Sequence, residues 1–77
     1  MTTVKMTSHV KRRCAERGIP LTDVERVALD FLASWEDDKN SSLVRTGRAT
    51  DGQTLVVCLV NPPGADGTLT VKTAFYR

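Results

Sequence analysis

The stretch Ser8 to Ile19, SHVKRRCAERGI, holds the chain's single histidine and four of its eleven basic residues. On a helix with 3.6 residues per turn, His9, Arg13 and Arg17 fall at i, i+4 and i+8 and form one stripe. Imidazole takes or gives a proton near neutral pH, and guanidinium forks match the oxygens of a phosphate. Together they can handle a proton and hold an anion, and breaking a phosphate ester without a metal calls for a base, an acid for the leaving oxygen and fixed positive charge on the phosphate. His9 suits either proton role, and Arg13 and Arg17 suit the phosphate. Tyr76 or Glu16 is the candidate for the second proton carrier, with Thr73 as a positioning hydroxyl. Lys11 and Arg12 widen the positive field, as further phosphate contacts or as solvated cations.

Each of these residues has a plainer use. Arg13 and Arg17 can pair with Glu25 or Asp30 of the acidic segment that follows. Thr73 and Tyr76 are good strand formers at an edge. Trp35 can stack a base, yet its spacing puts it on the apolar face of a helix, which favours core packing. A metal site from His9, Cys14 and Cys58 is disfavoured, because His9 and Cys14 point about 140° apart on a helix and nothing completes the set. No metal and no cofactor is expected. The sequence has neither a phosphate-binding glycine loop nor a recognisable Ser-His-Asp arrangement.

The elements that must position the stripe follow from local signals. Thr7 or Ser8 can cap a first helix running to about Arg17, Gly18 suits the left-handed residue that ends helices, and Pro20 forbids continuation. Thr22 and Glu25 have the spacing of a capping box, with Asp23 in the first turn. Val24, Val27, Ala28, Phe31, Leu32 and Trp35 then predict one amphipathic helix reaching Trp35. Glu36 to Ser42 has no apolar residue and reads as a solvated connection. Asp51-Gly52 between LVRTGRAT and QTLVVCLV predicts a two-residue hairpin. LVVCLV, apolar throughout, reads as a central strand covered on both faces. After the loop NPPGADG, the run TLTVKTAFY alternates, with Leu69, Val71, Thr73 and Phe75 on one side. Residues 1–6 are a frayed tail or a short edge strand.

The expected architecture is one α+β domain over residues 1–77, two N-terminal helices followed by a three-stranded antiparallel meander with its second strand central. If both helices lie on one face, the other face is open to the N-terminal segment, a second copy or a partner.

A 77-residue chain buries only about 60% of its unfolded surface, so its core is modest. The net charge of +2 hides segregation. Residues 1–20 carry Lys5, Lys11, Arg12, Arg13 and Arg17 against Glu16, a net +4. Residues 21–40 carry Arg26 and Lys39 against Asp23, Glu25, Asp30, Glu36, Asp37 and Asp38, a net −4. One basic and one acidic face are expected, the basic one suited to an anionic partner. Cys14 and Cys58 sit in apolar runs and read as buried thiols. MTTVKMTSHVKRR lacks the apolar stretch of a signal peptide and no segment is long enough to cross a membrane, so a cytoplasmic location without membrane contact is expected.

The segments HVKRRCAERGI, PLTDVERVAL, TGRATDGQTLVVCLV and VKTAFY together resemble a small bacterial and phage family of unknown function whose members look like RelE-like ribonuclease toxins. The shared pattern is His9 with Arg13, then Arg17-Gly18-Ile19, Gly47, Asp51-Gly52 and Thr73 to Tyr76. The resemblance implies a helix-helix-sheet fold and metal-independent RNA cleavage by a toxin-like protein. The competing class is a non-catalytic phage or mobile-element protein that binds and inhibits a host protein or nucleoprotein complex. The partners expected are accordingly RNA, a nucleoprotein complex, or a protein partner or second copy on the open sheet face.

Overall fold

A computed structural model describes residues 3–77. Strand β1 (Val4–Lys5) leads into helices α1 (Ser8–Glu16) and α2 (Leu21–Leu29), then β2 (Ala33–Asp37), a single 3-10 turn (Asp38–Asn40), β3 (Ser42–Arg48), β4 (Thr54–Val60) and β5 (Leu69–Tyr76). The strands form one mixed sheet in the order β1-β5-β4-β3-β2, with β1 parallel to β5 and the other pairs antiparallel. The three-stranded antiparallel sheet expected from the sequence is therefore incorrect. A strand is added on each flank, and one of them is parallel.

The first flank is the N-terminal segment. Val4 pairs with Leu69 and Lys5 with Thr70, so the ambiguous start of the chain is an edge strand over those residues. The second flank replaces the last third of the predicted second helix. Phe31, Leu32 and Trp35 fit a helical period, but Phe31, Ala33 and Trp35 also alternate, and short apolar runs satisfy both templates. Tertiary pairing decides. Ala33 through Asp37 pair residue for residue with Thr46 back to Ser42, and α2 ends with Asp30 outside helical dihedrals. Arg45 reaches from β3 to the Ala28 carbonyl at that end and stacks over Phe31, 4.2 Å from the ring centre. Trp35 is consequently half-exposed on β2 and absent from the core. Glu36 to Ser42 is likewise not a plain connection, since it holds the end of β2, the 3-10 turn and the start of β3.

Helix α1 is built as its sequence suggests. The Thr7 hydroxyl accepts from the Val10 amide at 3.3 Å. At the other end Gly18, with φ +69°, lets the Ile19 amide reach the Cys14 carbonyl and the Gly18 amide reach that of Ala15. Helix α2 starts two residues earlier than the capping-box reading places it. Pro20 occupies the cap position without a side-chain hydrogen bond, so Thr22 does not cap it. Asp23 is instead buried, accepting from the Thr50 hydroxyl at 2.6 Å and the Thr50 amide at 3.1 Å. Those bonds tie α2 to the β3-β4 turn. That turn has three residues rather than two: Ala49 bonds Gln53 across it, and Gly52 at φ +89° closes it.

Both helices lie on one face of the sheet. Val10, Cys14, Ile19, Val24, Val27 and Ala28 pack on Leu55, Val57, Leu59, Leu69, Val71 and Ala74 to form the core. Gly47 permits the closest approach, since a Cβ there would lie 3.1 Å from a Val27 methyl. Strand β4 shows why its apolar run has no period. Leu55, Val57 and Leu59 face the helices, while Val56 and Cys58 face the uncovered side. Among the described residues no helix covers that second face, contrary to the two-sided covering expected.

Candidate functional site

The site is assembled where β5 loses its neighbour. Among the described residues β1 pairs with β5 only at Leu69 and Thr70, and no strand lies along the rest of that edge. Helix α1 runs beside it and supplies the missing donors: Arg17 Nη1 donates to the Ala74 carbonyl at 2.8 Å and to the Thr73 hydroxyl at 3.2 Å. Between helix and edge lies a groove of about 230 Å³ lined by His9, Val10, Arg13, Arg17, Lys72, Thr73 and Ala74. His9 stands in the first turn of α1, Arg13 one turn on and Arg17 at its C-cap, so the helical stripe faces this groove.

The alternative use of the arginines is not the one the fold adopts. Arg17 binds two neutral acceptors and pairs with neither Glu25 nor Asp30. Arg13 meets Glu16 at 4.0 Å, with both side chains more than half exposed, a pair of small energetic weight. The groove therefore keeps the charge of both guanidinium groups.

A β-bulge brings in a residue the sequence reading passed over. Leu59 pairs with Val71 and Cys58 with Thr73, so Lys72 has no opposite residue. The bulge reverses the alternation of β5. Val71 faces the core, but Thr73 and Phe75 do not share its side, and Ala74 is the next buried residue. Lys72 and Thr73 consequently both border the groove. Lys72 Nζ donates to the Asn40 carbonyl and the Ser42 hydroxyl, each at 2.8 Å, so it too is fixed by neutral oxygens. Nothing in the regular alternation of TVKTAFY marks a bulge; the lysine within an apolar strand is its one visible trace.

The remaining candidates lie elsewhere. Tyr76 donates its hydroxyl to the Gly18 carbonyl at 3.3 Å and lines a separate cleft with Pro20, Asp23, Thr50 and Asp51. Burial, and then the Asp51 and Asp23 carboxylates, push its phenol above the ordinary range, which makes it a poor base near neutrality. It is not part of the His9 groove. Lys11 borders another depression with Val4, Met6, Leu21, Thr22 and Glu25, and exposed Arg12 lines none of these surfaces. Glu16 is tied to Arg13 outside the groove lining.

Both thiols are free, and burial raises each above its ordinary pKa, so neither is an activated nucleophile. Among the described residues no three His, Cys, Asp or Glu side chains gather to hold a metal, and no helix is long and apolar enough to cross a membrane. What the groove offers is one imidazole, two guanidinium groups and a hydroxyl, with Lys72 at its border and the lysine's ammonium held outside it by Asn40 and Ser42. No family model, curated protein or solved structure matches the chain.

Proposed function

We propose that this chain is an RNA-directed protein of the RelE-like kind, with the α1-β5 groove as its phosphate site and metal-independent strand cleavage as its chemistry. One observation carries the reading. His9 shares a groove with Arg13, Arg17 and Lys72, and Arg17 and Lys72 are held by neutral oxygens rather than consumed by carboxylates.

In this reading Arg13 and Arg17 grip the non-bridging phosphate oxygens and stabilise the added charge of the transition state. His9 accepts the 2′-hydroxyl proton as the 2′-oxygen bonds to phosphorus. The bond to the 5′-oxygen breaks, leaving a 2′,3′-cyclic phosphate and a 5′-hydroxyl. A water molecule gives the departing oxygen its proton, because the Lys72 ammonium is held by Asn40 and Ser42 outside the groove lining. Thr73 positions the phosphate through the hydroxyl that Arg17 orients. With Tyr76 turned toward Gly18, no side chain of the groove supplies that second proton, and solvent takes the role.

The test is a purified assay on a short RNA, with product ends identified. Cyclic phosphate ends that disappear with His9→Ala, and with a single 2′-deoxy substitution at the cut, support the reading. Cleavage that survives His9→Ala removes it. The placement of Tyr76 favours a second reading, because it leaves the groove a single imidazole: the same cations bind RNA without cutting it, and the protein blocks a host nucleoprotein complex. Intact RNA bound with steep salt dependence selects that reading.

A further inference from the structure

The far edge of the sheet carries a different surface. Strand β2 is bonded to β3 on one side, and among the described residues no strand lies on its other side. Every residue from Leu29 to Glu36 is exposed, including Leu32 at 77% and Trp35 at 46%. Trp35 also borders an apolar depression of about 370 Å³ on the open sheet face, beside Val44, Val56 and Phe75. Beyond Trp35 the chain turns acidic, with Glu36 and Asp37 ending the strand and Asp38 opening the 3-10 turn. The only ion pairs among the described residues are Arg13 with Glu16 and Arg26 with Asp23, so these three carboxylates and that of Asp30 have no cation.

An open edge with large apolar side chains at one end and carboxylates at the other is a template for an added strand. Two occupants compete, and charge separates them. A second copy pairing β2 with β2 about a two-fold axis runs antiparallel; centred on Trp35, it sets Glu36, Asp37 and Asp38 of each chain opposite Ser34, Ala33 and Leu32 of the other, so the carboxylates still meet no cation. An extended segment of another polypeptide, apolar at one end and rich in lysine or arginine at the other, meets both halves of the edge.

We infer that β2 is the docking edge for such a cationic, apolar-ended strand, which extends the sheet beyond Trp35. The inference is independent of the groove at β5, which lies at the other side of the sheet.

The probe is a synthetic peptide with alternating valine and threonine followed by three lysines, tested in both chain directions. Controls carry glutamates for the lysines, or N-methyl groups on alternate amides. The lysine peptide, in one direction, should shift Trp35 fluorescence and protect the 33–37 amides from exchange. N-methylation should abolish binding, and the glutamate peptide should not bind. The double variant Glu36→Lys, Asp38→Lys should weaken binding about tenfold while thermal unfolding stays unchanged. No binding in either direction, or equal binding of the glutamate peptide, overturns the inference. Concentration-dependent dimerisation that protects the same amides overturns it in favour of a second copy.

Discussion

The two open edges of this sheet receive opposite treatment. At β5 a helix runs along the unpaired strand, and Arg17 fills the Ala74 carbonyl that a neighbouring strand would have used. At β2 the described residues provide no such cover, leaving Leu32 exposed and Trp35 half-exposed. The difference shows how an edge becomes a site. Covered by a basic helix, it presents fixed cations and a groove suited to a small anionic group. Left bare, it presents backbone and apolar surface suited to another chain. The sheet is shared, so the two surfaces can be separated by substitutions that act on one and spare the other.

The largest effect is expected at the β5 groove. Replacing His9 with Ala should lower RNA cleavage about 100-fold, the usual contribution of one general acid or base, and leave peptide binding at β2 unchanged. His9 is exposed, so stability should not move. A denaturation midpoint that shifted along with the rate would show a structural residue, and the contrast between the edges would lose its chemical half.

Asp23 tests what the two surfaces share. It is buried and takes two hydrogen bonds from Thr50, joining α2 to the β3-β4 turn. Asp23→Ala should destabilise the whole fold by about 2 kcal/mol, through the loss of the hydrogen bonds that the buried carboxylate accepts, and weaken both surfaces together. The bonds from the Thr50 hydroxyl and amide, with a smaller contribution from Arg26, hold the Asp23 carboxyl below its ordinary range. A depressed folded-state pKa stabilises at every pH above the unfolded value. That stability drains away as pH falls below about 4 toward the folded value. Acid titrations of unfolding should therefore show a steeper loss for the native chain than for Asp23→Ala; parallel curves would remove this anchor.

Arg17 should show a smaller and more selective effect. Its alanine variant should weaken RNA binding about tenfold and lower the slope of log affinity against log salt by about one, as for the loss of one phosphate contact. Lysine at this position carries the charge without the fork that spans Thr73 and Ala74, so it should restore the salt slope but not the full affinity. If lysine restored everything, the edge-filling bonds would be irrelevant to the site.

Much of this was legible in the chain, and the failures share a cause. The first helix was readable because its signals are local: Thr7 at one end, Gly18 at the other, and the 3.6-residue spacing of His9, Arg13 and Arg17 between. Gathering those three on one face needs only a helix. Lys72 was not readable, because a bulge depends on what β4 offers opposite, and Cys58 and Leu59 say nothing of it locally. Tyr76 was misassigned for the same reason, since its side of β5 is set by that bulge. The strand pairing of residues 31–37 was equally hidden. Phe31 and Trp35 satisfy a helix and a strand alike, and only the partner β3 resolves them.

The gentlest test concerns that last ambiguity. A tryptophan closing the apolar face of a core helix would cost about 3–5 kcal/mol when truncated, because a large cavity opens around it. On an exposed edge strand the loss is mostly partial shielding of Val44, its cross-strand partner. Trp35→Ser should therefore cost no more than about 1 kcal/mol in chemical denaturation, and RNA cleavage at the distant β5 groove should be unaffected. The same variant should lose the fluorescence response to the lysine peptide and bind it more weakly by isothermal titration. Retained affinity would mean that the apolar end of β2 contributes nothing to docking. A stability loss near the core value would return Trp35 to the interior, and with it would go the bare edge on which the contrast with β5 depends.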